Sequence, residues 1–278
     1  QVQAVEARPA ARISLKDEER QRMGYDIVST YGFEHSPVKI GLLDSGKPLL
    51  QLQYSTAAKI ERINCGWRRR KNQADYGFWM NPANGDWLGE ADFSKKRNKN
   101  IPTPVKIVPY VQDHRNALVL TPQDDLELDS GALCTLVAAL LRGIEHVFQL
   151  EPGEIAAEPI PDILHAHSIL FYEAAEGGAG VLGQLVTSDN RERLVACIAK
   201  CALEVMHYHL AQDADSWEEN ERHCEAGCYK CLLSYFNQPQ HAIIDRRNPK
   251  ILSLLTTLTK VAKENFQTLA MKTGNTGQ

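Results

Sequence analysis

The chain has 278 residues, 43% of them hydrophobic and 24% charged, with a formal net charge of −4. That composition supports a packed core and excludes wholesale disorder, and the slight acidity excludes a general nucleic-acid coat. No run of about 18 consecutive apolar residues is present, so no membrane span is expected. The opening QVQAVEARPAAR has no apolar signal core, which points to the cytoplasm.

The chain opens without Met and in mid-composition, as a piece of something longer would. Residues 1–37 are polar and read as a linker or packed arm, with a short helix expected over LKDEERQRMGYDIV. From 38 the pattern turns to short β-like runs: VKIGL (38–42), LLQLQY (49–54), AKIERINC (58–65), VKIVPYV (105–111) and NALVLT (116–121). Turn residues such as PANGDW separate them, which suits antiparallel strands. Residues 38–125 are therefore expected to form a small, mostly antiparallel β region.

From 129 the apolar period becomes helical. Asp129 or Ser130 caps a stripe of Leu133, Leu136, Val137, Leu140, Leu141, Ile144, Val147 and Phe148. HSILFYEA (167–174) reads as a strand, and EGGAG (176–180) turns the chain into a helix. Such a turn can present N–H groups to a phosphate. No Gly-Lys-Ser/Thr follows and Glu176 would repel an anion, so a tight packing turn is the expectation. A further helix is predicted from Asp189 or Asn190 to about Leu210, and a last one begins at Asn248-Pro249. Residues 126–270 thus form a mostly helical region, and 271–278 a disordered tail.

The chemistry concentrates in HCEAGCYKCLLSYFNQPQHAIIDRR. Three of the seven cysteines, Cys224, Cys228 and Cys231, have the spacing C-x3-C-x2-C. Without a secretory signal this reads as metal binding rather than a disulfide framework. Thiolate softness selects zinc, or an iron–sulfur cluster, over hard cations, and a closed structural zinc site needs a fourth donor. His241 is preferred, with nine residues between it and Cys231; His223, Cys197 and Cys201 are the other candidates. His165, His167, His207 and His209 read as satisfied or exposed side chains. HCE before C-x-x-C superficially matches a nucleobase-deaminase signature, but the two elements are too compressed to build that site. The expected fold class is α+β: a small antiparallel β region followed by a mostly helical zinc-binding domain.

A second feature is a basic, aromatic stretch. Residues 62–100 hold nine Lys or Arg against four acids, an excess of five positive charges in a chain of net −4. Arg68, Arg69, Arg70, Lys71, Lys95, Lys96 and Arg97 are candidate phosphate contacts, and Trp67 a candidate base-stacking ring. The competing expectation is a solvated hairpin with an ordinary aromatic mini-core.

The combination of EGGAG after an apolar strand with C-x3-C-x2-C-L-L-S-Y-x-N-Q-x-x-H-x-x-x-D-R resembles the MrfA-type zinc-binding domain. INCGWRRR, GFWM and PYVQDHRNALVL look like upstream parts of the same module, so the resemblance covers about 60 to 270. It implies an accessory module found at the C-terminus of DEAD/DEAH-box helicases and in DISARM-type phage-defence proteins. DNA and a helicase motor, in cis or in trans, are its implied partners, and DNA repair or phage defence its setting. In many members of that family the fourth ligand is a cysteine; here the matching place holds His241. No Gly-Lys-Thr loop is present, so the chain alone is not expected to hydrolyse ATP. A scaffold subunit that docks on a helicase without touching DNA is the alternative.

Overall fold

The structure, a computed structural model, describes residues 24–68, 70–89, 103–174, 178–212, 216–220 and 223–269. Most of the expected N-terminal helix, Arg69, Lys95, Lys96, Arg97 and the 271–278 tail lie outside the described residues. The chain divides into two compact units, Gln1–Ile27 with Asn64–Pro109, and Val28–Ile63 with Tyr110–Gln278.

The larger unit is built on a seven-stranded sheet in the order β12-β2-β3-β7-β9-β8, with β1 pairing β3 off this path. Its strands are β1 (Tyr25–Phe33), β2 (Val38–Asp44), β3 (Lys47–Trp67), β7 (Tyr110–Pro122), β8 (Ile155–Ile160), β9 (Ser168–Glu173) and β12 (Phe266–Thr268). The pairs along the path are antiparallel. The fold is α+β, with antiparallel sheets. LLQLQY and AKIERINC, expected as two strands, are one strand of 21 residues, its register with β7 shifted between Ser55 and Ala58. Tyr25–Val28, expected to end a helix, is the start of β1 instead. Its YDIVSTY carries the β-branched and aromatic residues that favour a pleated surface.

Among the described residues four helices accompany the sheet: α1 (Ser130–Phe148), α2 (Val181–Thr187), α3 (Arg191–Val205) and α4 (Pro249–Leu258). Asp129 caps α1 by accepting from Ala132 N, and Asn248 caps α4 by accepting from Lys250 N and Ile251 N. Each such cap stabilises its helix by ~1 kcal/mol. The α1 stripe enters one large core: Leu133, Leu136, Leu140 and Ile144 pack with Leu42, Leu52, Leu118 and Phe171 of the sheet. Full burial of a leucine of this kind contributes roughly 1.5–3 kcal/mol. At Gly143, an added Cβ would stand 2.4 Å from Ile198 O, so glycine is what lets α1 and α3 approach backbone to backbone. α1 is long and apolar enough to cross a membrane by length and composition, but its most apolar window is 61% buried in the core.

α3 ends earlier than its apolar pattern suggests. Met206 closes it, and His207 adopts a left-handed conformation at φ 67°. The chain then runs as β10 (Tyr208–Leu210), which pairs antiparallel with β11 (Trp217–Glu219). The smaller unit carries a separate three-stranded sheet, β5-β4-β6, made of β4 (Phe78–Met80), β5 (Trp87–Leu88) and β6 (Val105–Ile107).

Candidate metal centre

The residue that follows the end of α3, His207, and the Cys224–Cys231 knuckle converge. The knuckle Cys224–Cys231 is closed by backbone bonds, Cys231 N to Cys228 O at 3.0 Å and Leu233 N to Cys228 O at 3.0 Å. Cys228 N also donates to Cys231 Sγ at 3.0 Å, which helps disperse thiolate charge. Cys224 and Cys231 are buried and Cys228 half-buried. Their Sγ atoms and a nitrogen of His207 all lie within 4.8 Å of one another. Among the described residues this is the one group of three or more Cys, His, Asp or Glu so arranged.

The spacing fits a tetrahedral zinc ion. Two sulfurs about 2.3 Å from such an ion stand about 3.8 Å apart, and a sulfur and an imidazole nitrogen about 3.6 Å. Cys224 Sγ and Cys231 Sγ are 3.7 Å apart, and His207 Nε2 lies 3.3 Å from Cys228 Sγ. Electrostatics agree. Burial, with the neighbouring thiols, pushes the Cys224 thiol up to about 12, and burial raises Cys231. Burial also works against ionising Cys228, yet hydrogen bonds from His207, Cys231, the Lys230 backbone and Cys224 together bring it down to about 6. Three crowded sulfurs cannot all ionise without a cation between them, and zinc supplies that charge.

The surrounding bonds hold the donors in place. Arg246 is fully buried; its Nε donates to Cys224 O at 2.7 Å and its Nη1 to Met206 O at 3.2 Å, and it pairs with Glu219. Arg142 of α1 donates from Nε to Cys231 O at 3.2 Å. Asn220 N donates to His207 O at 3.0 Å, tying β11 to the residue that carries the imidazole.

The structure does not bring His241 to the sulfurs. Its Nε2 is 3.0 Å from both Ser234 O and Asn237 Oδ1, two acceptors, so that nitrogen donates within its own loop. His223 is exposed, and Cys197 and Cys201 sit on α3 outside the group. His207, read from the sequence as an ordinary histidine, takes the fourth place. Arg246 was visible only as part of the D-R pair that ends the motif.

The glycine turn behaves as a packing device. Glu173, 1% exposed, accepts from Gly180 N at 2.9 Å, Leu182 N at 3.2 Å and Asn116 Nδ2 at 2.9 Å. The donors that open α2 are thus occupied by an internal carboxylate. In the smaller unit, Arg68 donates from Nη2 to Tyr25 O, and Lys71 is exposed. Arg70 pairs with Asp26 at 2.9 Å, bonds Trp67 O and Gln73 O, and lies over the Tyr76 ring. Its side chain is only 9% exposed. Trp67 is 56% exposed.

Residues 136–232 match the family described as the MrfA Zn-binding domain. Over those residues the chain is similar to this zinc-binding domain. The match takes in His207, Cys224, Cys228 and Cys231 and stops short of His241. No curated protein matches the chain. Among solved structures, the DUF1998 helicase MrfA bound to DNA aligns at a TM-score of 0.46 and 12% identity, over 85% of this chain. The chain spans 25% of that helicase's length. The matched stretch is a zinc-binding one, and the four converging side chains are fitting donors for the ion.

Proposed function

We propose that the chain is the zinc-binding accessory module of an ATP-dependent superfamily-two DNA helicase or translocase, acting in the cytoplasm in DNA repair or phage defence. Cys224, Cys228, Cys231 and His207 hold one structural zinc. The observation that carries the reading is that a single stretch matching the MrfA Zn-binding domain contains all four donors of the one converging group. Three thiolates donate too much charge for a bound water to be strongly activated, so the metal fixes structure rather than performing hydrolysis.

In this reading the zinc ties the end of α3 to the knuckle, and the basic, aromatic stretch of residues 62–100 contributes nucleic-acid contacts. The scaffold alternative draws on one observation: Tyr235 and Phe236, beside the knuckle, are each 75% exposed and offer a docking surface. The test is ATP hydrolysis by the native protein or assembly that contains this chain. DNA should stimulate it, and Cys228→Ser should remove most of the stimulation. An assembly that retains the motor but whose stimulation ignores the variant would favour the scaffold. No associated ATP hydrolysis would contradict the proposal.

A further inference from the structure

Among the described residues of the smaller unit, four aromatic rings form one continuous group. Tyr25 and Trp67 lie with centroids 4.6 Å apart and planes inclined by 34°. Phe78 meets Tyr25, Trp67 and Trp87 edge-on, at 5.7, 6.2 and 5.7 Å. The register explains the grouping. Met80 pairs with Trp87 across β4–β5, so the two share a face, and Phe78, two residues from Met80, points the same way. Trp79 points to the other face, where Lys106 lies over its ring.

Such a group would be an ordinary mini-core if its rings were buried. They are not: Tyr25 is 43% exposed, Trp67 56% and Trp87 61%, whereas Phe171 of the main core is 1% exposed. Half-buried Phe78 is the hub, and the three rings around it face solvent over much of their area. A contiguous exposed aromatic patch marks a binding surface. The excess of five positive charges in residues 62–100 favours a polyanion over an acidic-poor peptide. Arg70 is committed to Asp26 and to the Trp67 carbonyl, and it lies over the Tyr76 ring.

We propose that Tyr25, Trp67 and Trp87, set around Phe78, form a stacking platform for the unpaired bases of single-stranded DNA. The proposal rests on the DNA-contact reading above and names its substrate: duplex DNA hides base faces between neighbours, and only unpaired bases present them to a ring. Stacking on one aromatic residue is worth about a tenfold change in affinity or more by alanine substitution.

The experiment measures binding of the full chain to oligo(dT), to an abasic oligomer of equal length and to a duplex, with tryptophan emission as a second readout. The expected result is oligo(dT) bound at least about tenfold more tightly than the other two, with quenched emission. Trp87→Ala and Trp67→Leu should each weaken oligo(dT) binding about tenfold with zinc content and Tm unchanged. Equal affinity for the abasic oligomer would overturn the platform and leave DNA contact through the basic charges standing. Binding of neither oligomer would remove the platform and the DNA contact together. Unaltered affinity in both variants would overturn the platform. Unquenched native emission on oligo(dT) addition would do so without reference to any variant.

Discussion

Gly178 sits at φ +59° against a buried carboxylate, and a Cβ built there would stand 1.7 Å from Glu173 Oε2. The Asn116 amide would meet the same atom at 2.7 Å. Neither can retreat cheaply, because Glu173 also accepts from Gly180 N and Leu182 N. Gly178→Ala should therefore cost more than about 2 kcal/mol, from backbone strain and displaced buried bonds. Thermal unfolding followed by circular dichroism should show Tm falling by roughly 5 °C or more; a fall within one degree would contradict the packing role. His207 also occupies left-handed space, at φ 67°. There the strained residue is the one that delivers a nitrogen to three sulfurs.

The guanidinium of Arg246 joins three of the elements around the metal site. Arg246 bonds backbone carbonyls at the end of α3 and in the knuckle, and pairs with the last residue of β11. Removing it leaves Cys224 O and Met206 O without those donors and loosens both halves of the donor set. Arg246→Ala should lower zinc affinity about 10–100-fold, read by competition with a chromophoric chelator. Arg246→Lys should recover only part of this, since one ammonium cannot reproduce the planar fork. An affinity within twofold of native for the alanine variant would show that the arginine serves packing alone.

Element by element, legibility in the sequence followed how local the signal was. VKIGL, SILFYE and the α1 stripe carried their period within a few turns of chain and became β2, β9 and α1. IAAEPI became β8 although proline and weak apolarity hid it, because β9 supplies its whole ladder. The last helix stops at Leu258, and Phe266–Thr268 pairs with β2 instead, a contact between residues over 200 positions apart. The three cysteines were legible for the same local reason. His207 was not: sixteen residues separate it from Cys224, and only the end of α3 and the β10–β11 turn bring it close. A histidine at the C-terminal end of a helix just upstream of a knuckle was the available signal.

At the scale of the whole chain, Ile63 of β3 pairs with Tyr110 of β7 within the larger unit, and Tyr25, Trp67 and Trp87 belong to the smaller one. The composition that suggested an acidic chain averages over a basic stretch in one unit and a zinc-binding domain in the other. Metal, by contrast, acts on the larger unit as a whole, because ions bound only by the folded state stabilise it. The most direct measurement is X-ray absorption at the zinc edge, with metal analysis, on the native chain and on His207→Ala and His241→Ala. The expected result is about one zinc per chain, with three sulfurs near 2.3 Å and one nitrogen near 2.0–2.1 Å. The nitrogen should disappear in His207→Ala and persist in His241→Ala. Loss of the nitrogen with His241→Ala instead, a shell of four sulfurs, or folded native chain without zinc would contradict the account.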